Sequence, residues 1–363
     1  MLKLPHLPDG FTPSFMTEVL RHAGVLAQDQ AVVAVSPSQV GEGTGMMSEV
    51  AGLSVTYAQQ NLVAPQNFIA KFASQIETNR QIALSYRLYE RETRFFNELD
   101  PLTSARTPHI YFSGCDGERM LILMEDMRDY DVGSQVAGAT LRQSELAIDE
   151  LAKLHGAFCN DVDTLDWIPL IADSYHADNM VELTRAGFEP MFEKFEGALT
   201  HDLWARRERF LGSIRDLQAY MASGPLTLCH GDYRMENLLY GNRSTHHPVV
   251  VLDWQGPLRA QGINDVALFL TQSTRTDVRR EHEKTLLDRY ARGLQTNGAA
   301  RPSAEEIWSQ YRMATLYNWI YITVVAGTLD VSNATAHAWI YQSLLRHSAA
   351  SLDLGVFDLL PAS

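Results

Sequence analysis

The sequence predicts an α+β protein with two lobes: a small N-terminal lobe with an antiparallel β-sheet and one helix, and a large, mostly helical C-terminal lobe. Three observations lead to this fold class. Residues 1–124 are rich in β-type segments around one long helical pattern, whereas one helical pattern follows another from residue 140 onward. The chain has 363 residues, which is too long for a single core of ordinary size.

The elements of the small lobe are defined by β-rich segments and the residues that interrupt them. An amphipathic helix over 13–27 opens after Pro13, and a long helical pattern over 79–99 is stopped by Asp100-Pro101. Residues 114–117 indicate a hairpin turn between the last two strands. The five predicted strands are 31–40, 50–58, 67–73, 110–113 and 119–124.

The large lobe is predicted as a run of helices with one β-rich insertion over 226–255. The helical patterns cover 141–160, 175–198, 202–222, 263–272, 276–296, 303–328 and 333–350. We therefore expect lobes at 1–124 and 132–363, joined by a short hinge at 125–131.

Composition excludes several classes of protein. The chain has 30 basic and 44 acidic residues, a balance that argues against non-specific binding to nucleic acid or to an anionic membrane surface. The three cysteines have no metal-type spacing and fit free thiols in a reducing compartment. We find no signal-peptide pattern and no apolar segment long enough to span a membrane, so we expect a cytoplasmic protein. Its oligomeric state stays open.

The segment from His230 to Asn237, together with Asp253 at the end of an apolar strand, carries the chemical signal. Its spacing, His-x-Asp-x-x-x-x-Asn, is typical of the loop that catalyses phosphoryl transfer from a nucleotide. Asp232 is the candidate base that accepts the proton of an attacking hydroxyl. Asn237 and Asp253 offer the hard oxygen ligands that Mg²⁺ prefers.

Lys71 lies in a strand too apolar to leave an ammonium unpaired without cost. On the following helix, Glu92 shares the face of the apolar residues, four positions after Leu88 and three before Phe95. We therefore predict a Lys71–Glu92 ion pair that orients the lysine toward nucleotide phosphates. Separate structural roles for the two residues are the alternative.

Two further segments are candidates for nucleotide contacts. The glycine loop that contains Gly43 and Gly45 lies between two strands, which fits a flap over phosphates; a flexible hairpin is the alternative. Backbone groups of Glu125 and Met127 in the connector are placed to hydrogen-bond an adenine edge, and an ordinary linker is equally compatible.

Several residues near the motif have plainer interpretations. We expect His230 to brace the loop by hydrogen bonding, and Cys229 and His155 to pack in the core. Asp265 looks like an acid at a helix start, with anchoring of the catalytic loop as the alternative. The sequence offers no Gly-x-Ser-x-Gly elbow for a hydrolase and no His/Cys spacing for zinc.

On these motifs the chain resembles the aminoglycoside phosphotransferase and choline kinase superfamily, which has a protein-kinase-like fold. The matching pieces are His230-Gly231-Asp232 with Asn237, Asp253-Trp254-Gln255, Leu154-His155 and Asp265. The patterns Glu92-x-x-Phe95-Phe96, Met124-Glu125-Asp126 and Asp253-x-Gln255 are most similar to its ecdysteroid-kinase-like branch.

The resemblance implies ATP as donor, Asp232 as catalytic base, Asn237 and Asp253 as magnesium ligands, and a hydroxylated small molecule as acceptor. Two departures matter. The branch typically has Trp after His-Gly-Asp, where this chain has Tyr233, and no Ala-Pro-Glu segment follows Asp253. The second departure argues against a protein substrate.

The helices over 303–350 are expected to wall the acceptor pocket. They carry few acids, whereas a polycationic aminoglycoside needs many carboxylates, so an apolar alcohol such as a steroid or lipid-like metabolite is our hypothesis. Aromatic residues at helical spacing are more often plain core, since such rings dominate buried area; those of this region are Trp308, Tyr311, Tyr317, Trp319, Tyr321, Trp339 and Tyr341. An aminoglycoside or choline-type kinase and a catalytically silent nucleotide-binding pseudokinase are the alternatives.

Overall fold

The computed structural model describes residues 4–5, 10–40, 47–59, 63–329 and 334–361. The chain divides into two compact units. The first unit comprises Met1–Leu102, Thr107–Asp129 and Asp253–Gly256. The second unit comprises Thr103–Arg106, Tyr130–Leu252 and Pro257–Ser363. The predicted functional division into a nucleotide-binding lobe, a hinge and a substrate lobe stays a prediction.

The first unit is built on a five-stranded antiparallel sheet, as the sequence predicts. Its strands are β1 (Val32–Gln39), β2 (Ser48–Tyr57), β3 (Asn67–Ala73), β4 (Ile110–Cys115) and β5 (Met120–Glu125), in the spatial order β1-β2-β3-β5-β4. The third strand is central and is buried at every position except its first. A lysine on that strand is therefore desolvated by the sheet itself.

The helices of the first unit differ from the prediction in their bounds. Helix α1 (Pro13–His22) starts as predicted, capped by the Thr12 hydroxyl, but ends before residue 27. The predicted helix over 79–99 is divided into α2 (Glu77–Ser85), α3 (Leu88–Arg94) and a π-helical turn, Phe95–Leu99. Arg87 has φ +54°, a left-handed conformation that no helix can continue through, and this residue separates α2 from α3.

The second unit is mostly helical. Its helices are α4 (Leu141–Ala157), α5 (Ser174–Phe195), α6 (His201–Ala205), α7 (Arg207–Gly212), α8 (Ile214–Met221), α9 (Ile263–Leu268), α10 (Thr276–Thr296), α11 (Ala304–Thr328) and α12 (Ala334–Asp353). Capping boxes fix the starts of α4 and α11, through Thr140 with Gln143 and Ser303 with Glu306. The predicted helix over 202–222 is three short helices. None of the helices in the described residues is long and apolar enough to span a bilayer.

Short strands in the second unit hold the segment that carries the motif. They are β6 (Asp131–Val132), β7 (Thr227–Cys229), β8 (Leu238–Tyr240), β9 (Val249–Val251) and β10 (Leu258–Ala260). Antiparallel pairing joins β7 to β10, and β8 to both β6 and β9. The loop that contains Asp232 therefore begins at the end of one paired strand and ends at the start of another.

These two units confirm the predicted α+β class, with a small antiparallel sheet and a mostly helical remainder.

Candidate active site

Lys71 of the first unit lies between two carboxylates. Its Nζ is 2.6 Å from Glu92 Oε1 and 2.7 Å from Asp253 Oδ1. Lys71, on β3, is 7% exposed and Glu92, on α3, is 1% exposed, so both side chains are buried. The predicted Lys71–Glu92 contact is confirmed. The contact with Asp253 was not foreseen, because it joins residues that are far apart in the chain.

The positive charge of Lys71 is stabilised by the two carboxylates beside it. Burial by itself lowers the pKa of Lys71, but the carboxylates of Asp253 and Glu92 outweigh burial and raise that pKa above its ordinary value. The ammonium is therefore charged at neutral pH. Burial raises the pKa of Glu92, and the attraction of Lys71 opposes that rise. A fixed positive charge held by acids in this way is suited to binding phosphate oxygens.

Asp253 has an unusual backbone conformation. Its φ is +62°, in the left-handed region that residues other than glycine rarely adopt. The next residue, Trp254, is fully buried and stacks on Phe95, with ring centroids 3.8 Å apart and planes 5° from parallel. Gln255 donates a weak hydrogen bond from Nε2 to Asp253 Oδ2 at 3.4 Å. Stacking and side-chain contacts thus hold the Asp253 carboxylate near Lys71.

In the second unit, the loop from His230 to Asn237, which carries the predicted base, is anchored through its backbone. The N–H of His230 donates to Asp265 Oδ2 at 2.6 Å, and the N–H of Gly231 donates to Asp265 Oδ1 at 3.1 Å. Gly231 has φ +82°, a conformation that glycine adopts without strain. This explains the glycine in the His-Gly-Asp motif.

His230 braces the loop, as predicted. Its Nδ1 accepts from the backbone N–H of Asp232 at 3.2 Å, so the ring proton is on Nε2. That nitrogen lies 2.9 Å from the carbonyl oxygen of Leu252 and donates to it. The imidazole is therefore fixed by two backbone groups and is fully buried.

Asp265 lies in the first turn of α9, as predicted, and it also anchors the loop, which was the alternative role. His155 Nε2 lies 3.2 Å from Asp265 Oδ2, and His155 Nδ1 lies 2.8 Å from the Tyr290 hydroxyl. His155 is thus packed in the core, as predicted, and also supports Asp265. Cys229 is a buried thiol whose pKa is raised by burial, which fits the predicted inert role.

Within the described part of the chain, three side chains contact the carboxylate of Asp232. The Tyr321 hydroxyl donates to Oδ1 at 2.6 Å, and Asn237 Nδ2 donates to Oδ2 at 3.1 Å. Arg234 Nε is 3.2 Å from Oδ1 and 3.3 Å from Oδ2. Sequence reasoning missed Arg234 and missed the specific role of Tyr321. An arginine two positions after the predicted base was the signal available for the first of these.

Arg234 is itself held on two sides. It forms an ion pair with Glu236, and its Cζ lies 4.6 Å from the centroid of the Trp339 ring, a cation–π contact. Burial opposes the charge of Arg234, but Asp232 is the first of the groups that outweigh burial and raise its pKa. Two of the aromatic residues predicted over 303–350 thus lie near Asp232: Tyr321 of α11 contacts it directly, and Trp339 of α12 contacts Arg234. Tyr311, Tyr317 and Trp319 are buried core residues instead.

Four further residues were predicted to contact the nucleotide. Gly43 and Gly45 lie outside the described residues. Glu125 is the last residue of β5, and its N–H donates to His109 O at 2.8 Å. Met127 is buried at 5% exposure. Roles for these residues toward a nucleotide stay predictions.

Comparison with known proteins gives the family. Residues 42–300, more than two thirds of the chain, match the model of the ecdysteroid kinase-like family. No match was found among curated protein sequences.

Solved structures give the fold. Choline kinase from Cryptosporidium parvum Iowa II is 10% identical, with 95% of this chain and 98% of that chain covered and a TM-score of 0.56. The GDP complex of wild-type aminoglycoside 2'-phosphotransferase-IIIa is 13% identical, with 93% and 98% covered and a TM-score of 0.55. At these identities the likeness establishes a kinase-like fold. With the family match, it follows that the chain belongs to the ecdysteroid kinase-like family and is a small-molecule kinase.

Proposed function

We propose that the protein is an ATP- and Mg²⁺-dependent phosphotransferase that phosphorylates a hydroxyl group of a small, largely apolar alcohol such as a steroid or lipid-like metabolite. The observation that carries this proposal is the buried Lys71 ammonium, held 2.6 Å from Glu92 and 2.7 Å from Asp253. A lysine fixed by a glutamate is the group with which kinases position nucleotide phosphates.

The proposed role of each residue toward the nucleotide and the metal ion follows from the chemistry of its side chain or backbone. Lys71 binds nucleotide phosphate oxygens, and the backbone of Glu125 and Met127 binds the adenine edge. Asn237 donates its amide nitrogen to Asp232, which leaves the amide oxygen of Asn237 for a cation. With the carboxylate of Asp253, this gives the oxygen ligands that suit Mg²⁺. An ion held there would neutralise charge on the phosphates.

Asp232 is the proposed catalytic base. The acceptor oxygen forms a bond to the γ-phosphorus, the bond from that phosphorus to the β,γ-bridging oxygen breaks, and the hydroxyl proton passes to Asp232. The products are the phosphorylated acceptor and ADP. The residues around Asp232 supply position and charge, which is what phosphoryl transfer mainly requires.

The class of acceptor is supported by charge at Asp232. The Arg234 cation lies 3.2 Å from Asp232 Oδ1 and is backed by the Trp339 ring. Because Arg234 already pairs with Asp232 and Glu236, a cation of the protein neutralises carboxylates that a polycationic acceptor would need, whereas a neutral alcohol meets the aromatic ring of Trp339. The acids Glu305 and Glu306 are exposed at the start of α11. An aminoglycoside or choline-type acceptor is therefore the weaker alternative.

The test is an ATP-consumption screen of purified protein with panels of sterols, hydroxy acids, choline-like amines, sugars and aminoglycosides. We expect turnover with an apolar alcohol. Turnover of an aminoglycoside with none of the apolar alcohols would refute the proposed acceptor class.

The proposed base is tested with Asp232→Asn on the confirmed acceptor. We expect turnover to fall by a factor on the order of 100 to 10,000, the typical contribution of a positioned base, with nucleotide binding retained. Asp216→Asn, at the start of α8, is the matched control and should behave as wild type. A wild-type rate in Asp232→Asn would refute the assignment.

A thermal-shift titration, together with the turnover screen, distinguishes the proposed kinase from a catalytically silent nucleotide-binding pseudokinase. Nucleotide with Mg²⁺ should stabilise the protein by mass action under both hypotheses. Stabilisation without turnover of any acceptor would favour the silent module, and no stabilisation by any nucleotide would count against both.

A further inference from the structure

The Tyr321 side chain makes the hydrogen bond that a kinase acceptor would be expected to make. Its hydroxyl donates to Asp232 Oδ1 at 2.6 Å. A hydroxyl whose proton is to be abstracted lies within about 2.6–3.2 Å of its base. The phenol oxygen of Tyr321 therefore stands where an acceptor oxygen is expected to stand relative to Asp232.

The other side chains that contact Asp232 among the described residues belong to its own loop. Asn237 Nδ2 donates to Oδ2 and also to the Asp232 carbonyl oxygen, at 3.1 and 2.8 Å. Arg234 is held in place by Glu236 and by the ring of Trp339. These groups stay with Asp232 when the loop stays folded. Tyr321 is the neighbour that comes from a distant helix, α11, and it is neutral, so it is the contact that an incoming hydroxyl can replace.

We propose that Tyr321 is a placeholder for the acceptor: it occupies Oδ1 of Asp232 until the acceptor hydroxyl displaces it, and it thereby suppresses transfer of the phosphoryl group to water. This inference rests on the proposed function, in which Asp232 is the base. In the suppressed reaction, water oxygen bonds to the γ-phosphorus, the bond to the β,γ-bridging oxygen breaks, and Asp232 receives the proton, which yields ADP and phosphate.

The discrimination follows from what each competitor brings. A hydrogen bond to a carboxylate is stronger than one between neutral groups, so displacing Tyr321 is unfavourable by itself. An acceptor makes further contacts with the protein, and this binding energy offsets the lost bond. Water makes no such contacts, so it competes poorly for Oδ1.

The experiment measures phosphate release from ATP and Mg²⁺ in the absence of acceptor, and so it does not require the acceptor to be known. We expect Tyr321→Phe, which keeps the ring and removes the hydroxyl, to release phosphate about tenfold faster than wild type, the lower range for losing a charged hydrogen bond. The gain should vanish in the double variant Tyr321→Phe/Asp232→Asn. Tyr317→Phe, which removes a hydroxyl from a buried core tyrosine one turn earlier on α11, should match wild type.

Two results would overturn the placeholder role. One is phosphate release by Tyr321→Phe that is unchanged or slower than wild type, including no release by any variant. The other is a phosphate group on Tyr321, located by peptide fragmentation mass spectrometry of wild-type protein after incubation with ATP, since the residue would then be an acceptor. Nucleotide-induced thermal stabilisation, measured in the same samples, tests the proposed function separately: stabilisation without the expected gain refutes the placeholder alone.

Discussion

Replacement of Asp265 by asparagine should destabilise the second unit and disable the catalytic loop. The Asp265 carboxylate is fully buried and accepts from the backbone N–H groups of His230 and Gly231 at 2.6 and 3.1 Å. The side chain of the Asp265→Asn variant would retain one acceptor oxygen, so one of these bonds would be lost. A hydrogen bond to a charged group contributes about 1.5–3 kcal/mol.

The second part of the cost comes from the amide nitrogen that replaces the other oxygen. It would face a backbone N–H, and a buried donor left unpaired costs about 1–3 kcal/mol more. We therefore expect Asp265→Asn to lower the free energy of unfolding by about 2.5–6 kcal/mol, the sum of these two contributions. Turnover should fall about 100-fold, because a shift of the loop by about 1 Å misplaces the base.

Urea denaturation followed by tryptophan fluorescence measures the first quantity, and ATP consumption with the confirmed acceptor measures the second. Asp277→Asn is the matched control, because Asp277 is also a first-turn acid, on α10, but is exposed to solvent. If Asp265 served only as a helix-start acid, the two variants would lose similar, small amounts of stability. That result would refute the anchoring role.

Two further predictions concern buried charges. Lys71→Met and Glu92→Gln should each weaken nucleotide binding, and the double variant should fall short of the sum of the two effects by about 0.5–3 kcal/mol, measured by calorimetry, because the two side chains form one pair. Burial lowers the pKa of His347 to about 3, so the folded protein keeps this histidine neutral where the unfolded chain, with a pKa near 6.5, takes up a proton. Stability should therefore fall as pH drops from about 6.5 toward 3, by up to about 1.4 kcal/mol per pH unit, and His347→Leu should make this slope shallower in urea denaturation.

Each of these predictions has a control on the same kind of residue. Glu90→Gln alters an acid of α3 that is more exposed than Glu92, and it should bind nucleotide as wild type does. Strict additivity of Lys71→Met and Glu92→Gln would contradict the pairing. For the pH dependence, His201→Gln changes an exposed histidine and should keep the wild-type slope. An equally steep slope in His347→Leu would show that other groups cause the acid destabilisation.

Local sequence patterns predicted the strands and helices of the fold better than the breaks within them. The five strands and the long helices of the second unit follow from periodicity, because burial of one face imposes that periodicity on the sequence. The break at Arg87 does not, because arginine has no preference for the left-handed conformation that it adopts there. Next to this break, Arg91 of α3 is buried, and its Nε donates to the carbonyl oxygen of Tyr86 on the other side of Arg87.

The candidate site shows the same limit. Lys71 and Glu92 were paired from the apolar face of one helix and the hydropathy of one strand. Tyr321 and Asp232 are 89 positions apart and meet only through the packing of α11, so no local pattern connects them. Periodicity predicts the helices that carry these aromatic residues, but it does not separate Tyr321, which contacts Asp232, from Tyr317, in the core.

The backbone conformation of Asp253 limits which residues this position can accept. A β-carbon in the left-handed region costs roughly 1–2 kcal/mol, and glycine, asparagine and aspartate bear that cost best. Only one of these three carries the negative charge that faces Lys71. Geometry and electrostatics therefore favour the same residue independently. It also follows that Asp253→Ala would combine backbone strain with loss of charge, whereas Asp253→Asn isolates the charge.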